Sequence, residues 1–142
     1  SSYCRFRESF VSVTTRPDIE TALIKMINTR LGVKTSGKAD RIGKAEEVVL
    51  RATGGELLDP RRSVHQISVS TWGMTPQSDL SAYKLASKVL NLIEGLPVEG
   101  WVGKYPCHHC NVVVAPYPDP DPKTGISRYS FAVRLHVAGI TE

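Results

Sequence analysis

Between Arg128 and Val137 the chain alternates large apolar side chains with polar or small ones. A period of two puts every second side chain on one face of a strand. Phe131, Val133, Leu135 and Val137 therefore face inward, and Ser130, Ala132, Arg134 and His136 outward. Such a strand needs neighbours on its edges and a layer over its apolar face, and the rest of the chain must supply both.

Two amphipathic helices supply the covering layer. In the first, Thr15 caps, Pro17 occupies the first turn, and Asp18 and Glu20 suit the positive helix end. Ile19, Ala22, Leu23, Met26, Ile27 and Leu31 follow at helical spacing until Gly32 stops them. In the second, Thr75 caps, Pro76 takes the first helical position and the body reaches about Glu94, where Gly95 and Pro97 close it. Ala82, Leu85, Ala86, Val89 and Ile93 share its stripe, and Leu80, Leu90 and Leu92 widen it. A helix apolar over so much of its circumference is covered on more than one side, by a neighbouring subunit or by the N-terminal arm, residues 1–16.

Further strands come from shorter signals. Val48 to Leu50, carrying Arg51, reads as a short strand broken by Gly54-Gly55, a pair that reads as a hairpin turn. A loop with Asp59-Pro60 leads to His65–Trp72, where Ile67 and Val69 share one face. Trp101, Val102 and Tyr105 lead into a strand over Asn111–Ala115. Residues 33–46 are basic, with Gly37 and Gly43, and read as an extended, partly mobile segment touching the core at Val33 and Ile42. The loop of residues 116–122 holds too many prolines to lie inside a sheet and is expected to project from the surface. The order helix, two strands, helix, two strands predicts an α/β (α+β) fold. A mostly antiparallel or mixed sheet of four to five strands packs with two amphipathic helices, as one domain over residues 17–142. Its core is expected to contain Leu23, Ile27, Ile67, Val69, Leu85, Val89, Val133 and Leu135.

A chain of 142 residues can bury a substantial core without metal or disulfide help. No stretch approaches the ~18 apolar residues of a membrane span. The opening Ser1-Ser2-Tyr3-Cys4-Arg5-Phe6-Arg7-Glu8 lacks the apolar centre of a secretory signal, so synthesis and assembly in a cytoplasm are expected. The net charge of +4 is spread along the chain, without the clustering and interleaved aromatics of a nucleic-acid groove. A solvated basic surface is the favoured reading.

Cys107-His108-His109-Cys110 is the segment with the most chemistry-bearing side chains. As half a zinc site it needs distant ligands such as Cys4, His65 or His136. Along a strand, adjacent side chains point to opposite faces, so the four do not converge without a sharp turn. As a Cys–His nucleophile it lacks a nucleophile elbow or a Gly-rich turn opening a helix. Small thiols packed at a strand start fit better. The residues point to a non-enzymatic domain with no cofactor.

Three segments together resemble the tail terminator family of long, non-contractile-tailed phages. One is the Arg-bearing strand ending in two glycines, Val48 through Gly55. Another is the strand ending in Trp72, bridged to an Ala- and Leu-rich helix, His65 through Leu92. The third is Pro118-Asp119-Pro120-Asp121, then Thr124-Gly125, Arg128-Tyr129 and the strand to Val137. With the helix from Asp18 to Leu31, the resemblance spans roughly residues 17–138; the Cys107–Cys110 cluster and residues 33–46 depart from it. It implies a virion protein of the neck and tail, without catalytic residues. It also implies a homo-oligomeric ring, as a rule a hexamer, that caps the head-proximal end of the tail tube. One face stops further tube subunits and the other receives a head-completion (connector) protein. Genomic DNA crosses the lumen without sequence-specific binding, and no membrane is involved. Candidate contact residues are Arg41, Lys44, Glu56, Asp59, Arg61, Arg62, Leu90, Tyr117, Asp119, Asp121 and Lys123, most of them on polar or Pro-rich segments. The alternatives are another neck or tail component, such as a head-completion protein or tube subunit, and a small metal-binding cytosolic protein using Cys107 and Cys110.

Overall fold

A computed structural model of the chain describes residues 14–15, 18–59 and 61–141. The N-terminal arm, apart from Thr14–Thr15, and the expected Pro17 position lie outside them. Strand β1 (Thr14–Thr15) pairs with β8 (Ile140–Thr141) as a separate two-stranded ribbon. Helix α1 (Ile19–Leu31) is capped by Asp18, not by Thr15: the Asp18 Oδ1 accepts the Thr21 N–H at 3.1 Å. Thr15 is already paired as strand, so the carboxylate next to the first turn takes the capping role. Gly32 ends α1 at φ 66° and gives its N–H to the Asn28 carbonyl.

The main sheet has six strands, one more than the expected maximum, in the order β2-β3-β4-β7-β6-β5. Strand β2 (Lys34–Ser36) runs parallel to β3 (Glu47–Leu57). β3, β4 (Arg62–Trp72), β7 (Arg128–Ala138) and β6 (Tyr105–Pro118) follow antiparallel, and β5 (Trp101–Val102) pairs with the start of β6. The fold is thus mixed α+β, with α1, α2 (Asp79–Glu94) and the short α3 (Leu96–Glu99) beside the sheet. All eight expected core residues are buried, and Phe131, Val133, Leu135 and Val137 face the helices in the expected alternation.

Further local expectations are corrected. Gly54-Gly55 is not a turn: β3 continues through it, with a bulge between Ala52 and Gly54, and the reversal comes at Leu58–Arg61. A Cβ on Gly55 would stand 1.9 Å from the Val64 carbonyl oxygen, so the pair admits close strand approach. Helix α2 starts at Asp79, not after Thr75, because Thr75 and Ser78 close a polar turn on each other's backbone and hydroxyl groups. Leu80 is exposed in consequence.

Residues 33–46 form strand β2 and a hydrogen-bonded connection to β3, not only an extended segment. Thr35 is buried in β2, and the fully buried Glu47 carboxylate accepts the Asp40 and Arg41 N–H groups at 3.0 Å each. Strand β6 absorbs the first prolines as far as Pro118, on an outer edge that no strand among the described residues pairs with beyond Pro106. The loop beyond folds back, burying Asp121 and covering Ser130, which the alternation had placed outward.

Candidate interaction surface

The sheet register sorts the polar candidates to its two ends. Glu47, Trp72 and Arg128 lie side by side across β3, β4 and β7, and Pro118 is next to Tyr129. That end therefore carries Tyr117, Asp119, Asp121 and Lys123. Arg41 and Lys44 join them, because the turn holding Gly43 packs against Ile126, with only 3.0 Å for an added Cβ. At the opposite end Glu56, Asp59, Arg61 and Arg62 cluster on the β3–β4 hairpin. Asp59, Arg61, Arg62, His108 and Ala138 line an open cleft of about 440 Å³ there. Leu90 belongs to neither end. It is half-buried on α2 and packs against the core.

At the first end the acidic side chains serve the loop itself. Asp121 Oδ2 accepts the Thr124 hydroxyl at 2.7 Å and the Thr124 and Lys123 N–H groups at 2.8 and 3.2 Å. Asp119 Oδ2 meets Arg128 Nη2 at 3.1 Å and accepts the Ser130 hydroxyl at 2.8 Å. Arg128 stacks over Trp72 with its guanidinium carbon 5.2 Å from the ring centroid. Burial pushes the Asp121 carboxyl up, but the Thr124 hydroxyl and the Thr124 and Lys123 N–H groups hold it below its ordinary range. The buried Trp72 indole N–H lies near this carboxylate but has no partner within hydrogen-bonding geometry among the described residues.

At the other end Asp59 closes the hairpin turn. Its Oδ1 accepts the Arg61 and Arg62 N–H groups at 2.8 Å each, and Oδ2 meets Arg62 Nε at 2.7 Å. The Arg62 side chain and these two amides hold its carboxyl down at about 2. This pair is exposed and contributes to the shape of the turn more than to global stability. Leu57 and Leu58 project beside it.

Between the ends runs the outer side of β6. After Pro106 no strand among the described residues pairs with it there. Val112, Val113 and Val114 are 38, 45 and 43% exposed, so consecutive apolar side chains on both faces meet solvent. A bulge between Cys107 and His109 turns both cysteines to the helix side, opposite Val137 and Leu135, and leaves His109 on the other face against the His136 ring. The single-strand alternation had not anticipated that bulge. Burial raises the Cys107 thiol. Burial, with Glu94 and Cys107 nearby, pushes Cys110 up to about 11. Thiols so raised are protonated at neutral pH and weak as nucleophiles. No group of three His, Cys, Asp or Glu side chains among the described residues is placed to hold a metal ion.

No protein-family model matches the chain, and no curated protein matches it. Sequence reasoning missed Glu47, the Trp72–Arg128 stack and the open β6 edge. Only the last left a signal, the uncharged run from His108 through Tyr117.

Proposed function

We propose that this chain is a non-catalytic structural subunit that assembles into a ring and caps the head-proximal end of a phage tail tube. In that reading it ends tube growth and offers a docking surface to a head-completion protein. The sequence resemblance supplies the role, and the observation that best supports assembly is the β6 edge beyond Pro106, which no strand among the described residues pairs with, and its exposed Val112–Val114. An uncovered apolar strand edge is a pairing template that proteins occupy or blunt. The separation of the contact candidates into two unlike ends fits a cap that meets the tube on one side and the head on the other. In the same reading the protein resides in the neck of the virion after assembly in the host cytoplasm, and DNA passes it without specific contacts. Among the described residues, no helix is long and apolar enough to cross a membrane.

Native mass measurement of the purified chain, alone and with tube protein, tests the reading. A closed oligomer, or one formed on the tube, is the expected result. A chain that stays monomeric in both cases contradicts it.

A further inference from the structure

The main sheet has a second open edge, and the register places it level with the first. On β3 the outer neighbour β2 covers only Glu47–Val49, and the Ala52 N–H is taken by Glu20 Oε2 of α1 at 2.9 Å. Beyond the bulge, Gly54 to Leu57 pair with β4 on one side, and no other strand among the described residues pairs with them. Following cross-strand partners from there, Gly54 leads through Gln66 and Arg134 to Asn111. Gly55 leads through His65 and Leu135 to Cys110, and Glu56 through Val64 and His136 to His109. In these rows the partners match one to one at every step. The free part of β3 therefore lies at the same height as a regular, free part of β6 on the opposite side of the sheet.

We propose that copies of this chain join by antiparallel pairing of Gly54–Glu56 in one copy with His109–Asn111 in the next, with Glu56 beside His109. The inference rests on the ring reading above and names the edges on which the ring closes.

Strand direction agrees with it. β3, β4, β7 and β6 alternate in direction, so β3 and β6 run oppositely. A rotation about an axis roughly along the strands preserves direction, so it sets one copy's β3 antiparallel beside another's β6. The two edges are different surfaces, as a head-to-tail interface that closes on itself requires.

The obstructions also match. β2 blocks the outer side of β3 at Val48 and Val49, whose rows end on β6 at Pro118 and Tyr117. There β6 carries Pro116 and Pro118, which have no N–H to offer a neighbour. β6 thus gives up its donors where a neighbour's β2 would prevent pairing. It keeps them at His109–Asn111, where the neighbour's β3 is open. Cross-strand neighbours share a face, so Glu56 joins the face that already holds the His109–His136 ring contact, at 5.3 Å between centroids. A carboxylate there meets the His109 and His136 rings, where His109 Nε2 bonds the Asn111 side chain and Nδ1 is the second ring nitrogen, and β6 itself has no acidic side chain between Tyr105 and Pro118.

A charge swap in the full-length chain tests this, read by native mass over a range of concentrations. Glu56→Lys or His109→Glu alone places like or mismatched groups opposite each other and should raise the concentration needed for assembly on the order of tenfold. The double variant should restore it. As a second measure that does not depend on charge, Glu56→Cys with His109→Cys should give a ladder of disulfide-linked copies after mild oxidation by diamide. Each single cysteine variant controls for Cys110. Wild-type chain that assembles, while single and double variants assemble equally well and no ladder forms, overturns the edge pairing and leaves the ring reading standing. Wild-type chain that stays monomeric at every concentration, with and without tube protein, overturns both.

Discussion

Glu47 is the residue whose loss the structure makes most informative. Its side chain is fully buried at the start of β3, and its two carboxylate oxygens accept the Asp40 and Arg41 N–H groups at 3.0 Å each. Those two bonds fix the turn that joins β2 to β3. Glu47→Gln keeps the shape but replaces one acceptor with an NH₂, setting donor against donor at one of the two amides. The two bonds are part-buried and their donors sit on exposed residues, so the donor left without an acceptor should cost about 1 kcal/mol, the low end of the range for a buried one. Glu47→Ala removes both acceptors and leaves a void, and should cost more, ~3–5 kcal/mol. Equilibrium urea unfolding gives the global figure, and amide hydrogen exchange at Asp40 and Arg41 gives the local one. Both variants should speed exchange at those amides. Glu47→Gln with wild-type stability and unchanged exchange at both positions would refute the reasoning.

Three further outcomes follow from the same structure. Leu135→Ala, at the centre of β7 with its side chain fully buried, should lose ~2–5 kcal/mol in urea unfolding. His65 is lowered from its ordinary 6.5 by burial, so the unfolded chain takes up its proton first as pH falls. Its contribution to stability is therefore present above 6.5 and declines below it, and thermal melts across that window should show a shallower pH slope for His65→Gln than for wild type. The core is apolar and the thiols of Cys107 and Cys110 are raised, so chelators should leave the melting transition unmoved. Stoichiometric zinc with a large loss of stability on chelation would instead favour the metal-binding alternative.

What was legible in the sequence is what local periodicity encodes. α1, the body of α2, β7 and the Ile67–Val69 face of β4 each carry their own pattern, and the eight expected core residues that they supply are all buried, while Ala22, Met26, Leu31 and Leu90 are only partly so. The misreadings occur where a residue has two structural uses. Gly54-Gly55 suits a hairpin turn, but glycine also suits a bulge with close strand approach, and only the position of β4 decides between them. Proline excludes an inner strand but not an edge, and whether β6 is an edge depends on the whole sheet order. Asp119 and Asp121 look like exposed loop charges until Arg128 and Ser130 arrive from the next strand. The contact candidates were found as polar segments. Their sorting into two ends, and the level match of two open edges, come from pairings between residues far apart in the chain.

The proposed cap role is tested by electron microscopy of phage particles made without this chain. Tube growth is driven by repeated identical contacts, and only a bound cap of different shape removes the next docking site. Without the chain, tube subunits should still polymerise, giving tails of uncontrolled length that do not join filled heads. Tails of normal length attached to heads would contradict the terminator reading.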